Sequence, residues 1–156
     1  MAAVKEYRLA RTIALGVPVA LLGGAYLSQY GFGLYPCEMC WWQRYALFAA
    51  LPFALLAWFR PGAKLLSALA LIAILVGGLI GGYHAGIEYG WWQGMTACTT
   101  VAGGGSGNAL DAILNAPVVR CDVAPWDLFG ISLAGFNFLI SVPLALIGLA
   151  SLRKGA

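Results

Sequence analysis

The fold class this sequence predicts is an all-α membrane protein, a bundle of four transmembrane helices with two loops on one side, and three observations predict it. Of the 156 residues, 62% are hydrophobic and 10% are charged, against about 45–50% and about 25% in a soluble domain. With a mean hydropathy of +0.83, a globule in water would expose large apolar patches. The apolar residues gather into four runs at about 12–30, 41–59, 65–87 and 126–149, each close to the roughly 20 residues that cross hydrocarbon as a helix. The runs are continuous and do not alternate, which speaks against a closed barrel. Residues 1–156 are expected to form a single membrane domain with outer loops at about 31–40 and 88–125. A net charge of +3 does not point to nucleic acid, because the basic residues are spread along the chain.

The first run follows Lys5, Arg8 and Arg11 and contains Gly23-Gly24-Ala25. A secretory signal shares these features, but the run is longer than the roughly 7–15 residues of a signal core, so it is read as a span. The second run starts at Trp41, directly after a Cys-x-x-Cys pair, and a tight turn from Arg60 to Lys64 leads into the third. Gly77, Gly78, Gly81 and Gly82 give the third run the small-residue spacing of a closely packed helix. Pro18, Pro52 and Pro143 lie inside runs, where kinks are tolerated.

Lys5, Arg8, Arg11, Arg60, Lys64, Arg153 and Lys154 all fall on the side that holds both termini, which makes that side cytoplasmic by the positive-inside rule. Trp41, Trp42, Trp91, Trp92 and Trp126 gather on the other side as an aromatic belt. In the long outer loop, residues 103–107 (GGGSG) form a flexible tether. Asn108 is positioned to cap a short surface helix over about 109–116, a segment that reads equally well as a frayed linker.

All four cysteines face outward: Cys37 and Cys40 in the first loop, Cys98 and Cys121 in the second. Four thiols have three possible pairings. Pairing within each loop closes a chain segment without needing another helix in place. A ring as short as Cys37–Cys40 constrains little unfolded chain, so the pair is read as redox-active. The start of the second helix would favour a thiolate there, and Arg44, four residues beyond Cys40, adds a positive charge on the same face.

A zinc site would need two close-spaced ligand pairs, and Cys98 and Cys121 are far apart in sequence. Metal ligation is therefore not expected. Covalent haem needs His after the second cysteine, where Trp41 stands, and bis-histidine haem needs more than the single His84. No dinucleotide fingerprint is present. The electrons of thiol oxidation are therefore assigned to a lipid-soluble quinone, with Arg44 as a donor to its oxygen; the bland alternative is a snorkelling interfacial arginine. His84 and Glu88, one turn apart, read either as a pair handling the accompanying protons or as an interfacial polar pair.

The segment Pro36-Cys37-Glu38-Met39-Cys40-Trp41-Trp42-Gln43-Arg44, the later Cys98 and Cys121, and Trp126-Asp127-Leu128-Phe129-Gly130 closely resemble the DsbB family of bacterial inner-membrane disulfide-bond formation proteins. Nearly the whole chain is covered. Vitamin K epoxide reductases share the bundle and the chemistry, but there the loop cysteines precede the Cys-x-x-Cys. The resemblance implies a multi-pass protein of the inner membrane with its cysteines on the periplasmic side. It implies a thiol:quinone oxidoreductase that reoxidises a periplasmic, thioredoxin-fold DsbA-like oxidase, a relay that keeps the periplasm oxidising. On that resemblance Cys98 takes the mixed disulfide, Cys121 exchanges with Cys37, and Cys40 forms a charge-transfer contact with ubiquinone or menaquinone. Arg44 binds the quinone, and His84 lies where a histidine assists it. The family usually has a hydrophobic residue between the active cysteines; Glu38 instead adds negative charge, which is expected to blunt the oxidant. The alternative is a small four-helix transporter or scaffold whose disulfides staple its loops. Such a protein is expected to carry polar groups at the midplane or inverted repeats, and neither is read in this sequence.

Overall fold

The structure, a computed structural model, describes residues 2–60, 62–94, 99–101 and 118–154. Four helices hold most of them: α1 (Ala2–Gly31), α2 (Glu38–Phe59), α3 (Lys64–Glu88) and α4 (Leu133–Lys154). The stretches Val4–Gly31, Lys64–Glu88 and Leu133–Lys154 are long and apolar enough to cross a membrane. At 22 residues α2 matches α4 in length, but Glu38, Gln43 and Arg44 in its first two turns dilute its hydropathy. The predicted class is thus met as a mostly helical molecule with three such helices.

Among lipid tails, apolar contact between helices gains no hydrophobic driving force, so close packing and interhelical hydrogen bonds must hold the bundle. The third helix lies against both α2 and α4, and glycines permit the approach. Gly77 faces α2, where an added Cβ would lie 3.1 Å from that of Ala46. Gly78 and Gly82 face α4, where an added Cβ would come within 2.7 Å of Ser141 and 2.6 Å of Phe138. The small-residue spacing therefore does what the sequence indicates. Ala10, Ile13, Ala14 and Val17 form the buried stripe of α1, at the i, i+3, i+4, i+7 spacing of one helical face. Arg11 of α1 donates to the Trp58 carbonyl and lies 4.9 Å from that indole ring, a cation at the C-terminal end of α2 where the helix dipole favours it.

The fourth helix begins later than its apolar run. Residues 127–132 form a hairpin in which β3 (Asp127–Leu128) pairs antiparallel with β4 (Ile131–Ser132). Its two linking residues both have positive φ, 53° at Phe129 and 76° at Gly130, the geometry that matches the twist of a two-residue hairpin. Asp127 Oδ2 accepts from the Gly130 N–H at 3.2 Å. Leu128, Phe129 and Ile131 continue the apolar composition, which is why the sequence reads as one run.

A second antiparallel pair, β1 (Thr99–Val101) with β2 (Val118–Arg120), closes on the rung Thr99–Arg120. That rung lies one residue after Cys98 and one before Cys121 in sequence. Cys98, the 103–107 tether and the 109–116 surface helix lie outside the described residues.

Candidate active site

The site is built on the start of α2. Cys37 is the residue before the helix, with extended backbone (φ −77°, ψ 178°), and its sulfur accepts from the Cys40 N–H at 3.4 Å. An unsatisfied amide at a helix start is normally taken by an oxygen; here a sulfur takes it, which ties the cysteine pair to the helix terminus as the sequence suggests. One turn brings the two sulfurs to 3.1 Å, a thiol contact well beyond a covalent S–S bond of about 2.05 Å.

The pair holds its charge unevenly. Because the Cys37 thiol is hydrogen-bonded to Cys40 and is buried, its pKa is pushed up to about 12. That same hydrogen bond holds Cys40 below the ordinary thiol value. Both residues precede the expected span at 41–59. One negative charge shared by the pair therefore rests on Cys40, the thiolate being the nucleophilic form.

Cys121, which follows β2, is as buried as Cys37, each 3% exposed, and both pack with Met39 and Ile87. Reactive atoms of Cys37, His84 and Cys121 all lie within 4.8 Å of one another. Across the turn that holds Cys121, Arg120 makes a two-pronged ion pair with Asp122 at 2.8 and 2.5 Å. The guanidinium holds the Asp122 carboxyl below the usual carboxylate range, and the pair is exposed on the surface, where such pairs stabilise little.

His84 projects from α3 with Nε2 3.5 Å from Cys37 Sγ and 3.7 Å from Glu88 Oε1. Its Nδ1 lies 3.0 Å from Gln43 Nε2. Gln43 also donates to the Met39 carbonyl at 3.2 Å and accepts from Asn137 Nδ2 at 2.7 Å. Asn137 donates to the Gly77 carbonyl at 3.1 Å and accepts from Ser141 Oγ at 2.8 Å. A buried polar chain thus runs from α4 through α2 to the thiols.

Backbone carbonyls only accept, so Met39 and Gly77 fix which end of each amide is nitrogen. An amide nitrogen only donates, so Nδ1 of His84 is an acceptor and the ring proton sits on Nε2, facing Cys37. Two cysteines and a histidine have the composition of a soft-metal site, but ligation at Nε2 needs the lone pair that this proton occupies. The arrangement suits sulfur exchange better.

Arg44 lies on the same helix but turns toward α1. It is 6% exposed, donates to Gln29 Oε1 at 2.5 Å and to the Ala25 carbonyl at 3.1 Å, and lies about 5 Å from the rings of Tyr26 and Trp41. Of the residues the sequence singles out, Cys37, Cys40, Cys121 and His84 thus come together, with Glu88 beside the histidine, while Arg44 faces α1. Three members of the polar chain go unread from sequence: Gln43, seen only as part of a motif, Asn137 and Ser141. Their signal is an amide and a hydroxyl four residues apart in an otherwise apolar run.

Comparison with known proteins adds to this geometry. A family profile described as "Disulfide bond formation protein DsbB" matches residues 7–151. A Disulfide bond formation protein B of Paracidovorax citrulli is 26% identical over 155 residues, covering 87% of this chain and 86% of its own. Disulfide bond formation protein B 1 of Pseudomonas entomophila is 39% identical over 71 residues, 44% of this chain and 42% of its own. An uncharacterized protein of Rickettsia prowazekii is 24% identical over 144 residues, 89% of this chain and 84% of its own. No solved structure matches the chain.

Proposed function

The chain belongs to the DsbB family of disulfide bond formation proteins, and from that premise we propose that it is a protein thiol:quinone oxidoreductase of the bacterial inner membrane. In this reading four helices cross the bilayer, both termini are cytoplasmic, and the cysteines meet a periplasmic DsbA-like dithiol oxidase. The observation that carries it is the meeting of Cys121 and His84 with a hydrogen-bonded thiol pair at a helix N-terminus.

The chemistry is a series of thiolate attacks on disulfides. A thiolate of the partner attacks Cys98 of a Cys98–Cys121 disulfide; a partner–Cys98 bond forms and the electron pair leaves on Cys121. The Thr99–Arg120 rung, flanked in sequence by these two cysteines, supports that pairing. Cys121 then attacks Cys37 of an oxidised Cys37–Cys40 pair; a Cys121–Cys37 bond forms and the electron pair leaves on Cys40, in the first turn of α2 where a helix N-terminus favours thiolate. The partner's second thiolate closes the partner's own disulfide and releases Cys98, which attacks Cys121 and releases Cys37. The net result is an oxidised partner and a reduced Cys37–Cys40 pair carrying two electrons.

A bound quinone supplies the two-electron, two-proton acceptor that restores the pair. The residues at the outer ends of α1 and α2 fit such a molecule. Arg44 spends one N–H from each terminal nitrogen on Gln29 and Ala25, and a guanidinium has about five N–H donors in one plane. Donors therefore remain with which Arg44 would hold a ring carbonyl.

The test is quinone absorbance with the purified protein in detergent, a soluble ubiquinone analogue and a reduced DsbA-like dithiol protein. Consumption is expected only with thiol present and with both Cys37 and Cys40 intact. Arg44→Ala is expected to raise KM for the quinone by about 1–2 kcal/mol in binding, the scale of a charge-assisted hydrogen bond. No turnover with ubiquinone or menaquinone analogues would return the cysteines to loop staples and favour a transporter or scaffold.

A further inference from the structure

We propose that Asn137 of α4, acting through Gln43, is a positioning residue that holds His84 in its Nε2–H form so that the ring donates a hydrogen bond to Cys37 when that sulfur leaves as a thiolate. The proposal rests on the reading of Cys37 as an exchange sulfur. Its basis is the direction of the polar chain: Ser141 donates to Asn137, Asn137 to Gln43, Gln43 to His84 Nδ1, which leaves the proton on Nε2, with Cys37 Sγ at 3.5 Å, Glu88 Oε1 at 3.7 Å and the Cys121 backbone also hydrogen-bonded to the ring. Each bond polarises the next in the same sense.

Both amides are saturated. The two N–H groups of Asn137 go to Gln43 and the Gly77 carbonyl, and those of Gln43 go to the Met39 carbonyl and His84. An amide among apolar helices is unfavourable unless its partners are met, and here every partner is met in only one orientation. Turning the Gln43 amide over would bring its oxygen against the Met39 carbonyl and its nitrogen against the Asn137 nitrogen. It would also place the His84 proton on Nδ1 and present a bare Nε2 lone pair to Cys37. The ring would then repel the thiolate it now stabilises. In the exchange concerned, an incoming thiolate bonds to Cys121, the Cys121–Cys37 bond breaks, and the electron pair stays on Cys37 Sγ within 3.5 Å of His84 Nε2. No proton is transferred in that step.

The chain contains a single histidine, so a nitrogen-15 histidine spectrum of the full-length protein in detergent micelles reports on His84 alone. The expected wild-type spectrum has an unprotonated Nδ1 and a protonated Nε2 at neutral pH. Asn137→Leu and Gln43→Met are each expected to mix the two tautomers. In a Cys40→Ala background that traps the Cys37–Cys121 disulfide, both should slow its opening by dithiothreitol on the order of tenfold, the worth of a hydrogen bond to a charged group. Should Asn137→Leu not fold, Gln43→Met makes the same test from the other side of the bond. A wild-type His84 protonated on Nδ1 would overturn the proposal, as would variants with unchanged tautomer or opening rate. The tautomer is read without quinone or partner, so a silent quinone assay beside an intact Nε2–H signal would sink the oxidase reading alone.

Discussion

Cys37 and Cys40 are three residues apart, yet their surroundings treat them as different acids. The hydrogen bond between them pushes the Cys37 pKa up to about 12 and holds Cys40 below the ordinary thiol value. A lowered pKa means that the thiolate persists as pH falls, and is lost only on passing below that value. Mass spectrometry of the reduced protein alkylated with iodoacetamide should therefore find Cys40 modified at pH values where an ordinary thiol, with a pKa of about 8.5, is still largely protonated. Cys37 should stay unreactive through the same range. Removing its main perturbation by Cys40→Ala should lower the pH at which Cys37 reacts. Equal rates for the two cysteines across the whole range would show that the charge is not divided in this way.

Among the elements, α3 does the positioning. Its glycines bring it against α2 and α4, and His84 lies seven residues after Gly77, close to two turns along nearly the same face. The contacts that seat the helix therefore also aim its histidine. At Gly78 an added Cβ would sit 2.7 Å from that of Ser141, and overpacking of this kind typically destabilises by about 1–3 kcal/mol. Gly78→Leu is expected to lower the thermal midpoint in detergent. It should also disturb the His84 nitrogen signals, because Ser141 is the first donor of the polar chain. A stable variant with unchanged signals would separate helix packing from the site.

Across the whole molecule, what could be read from sequence follows from how far each signal depends on a neighbour. Runs of apolar residues announce helices by themselves, so α3 is legible to within a residue of each end, while α1 begins at Ala2, ten residues before its apolar run, in a stretch that carries Lys5, Arg8 and Arg11. The second helix is legible as the run at 41–59 within Glu38–Phe59; the roles of Gln43 and Arg44 inside it are not, one joining the polar chain and the other binding α1. The hairpin at residues 127–132 is hidden by its own apolar side chains. With Arg44 turned toward α1, the residues whose meeting was legible from spacing and resemblance are Cys37, Cys40, Cys121 and His84. Asn137 was not, since a single amide in an apolar run means nothing until α2 and α3 are placed beside it. Burial then sets how the thiols meet the outside. Cys37 and Cys121 are each 3% exposed and Cys40 is half-buried, so glutathione, left with attack at Cys40, is expected to reduce an oxidised Cys37–Cys40 pair more slowly than it reduces an exposed model disulfide; equal rates would contradict this. On the proposed function the thiol site would be an insulated conductor, one that small thiols in the surrounding solution short-circuit only slowly and that passes current through a partner able to plug into its terminal.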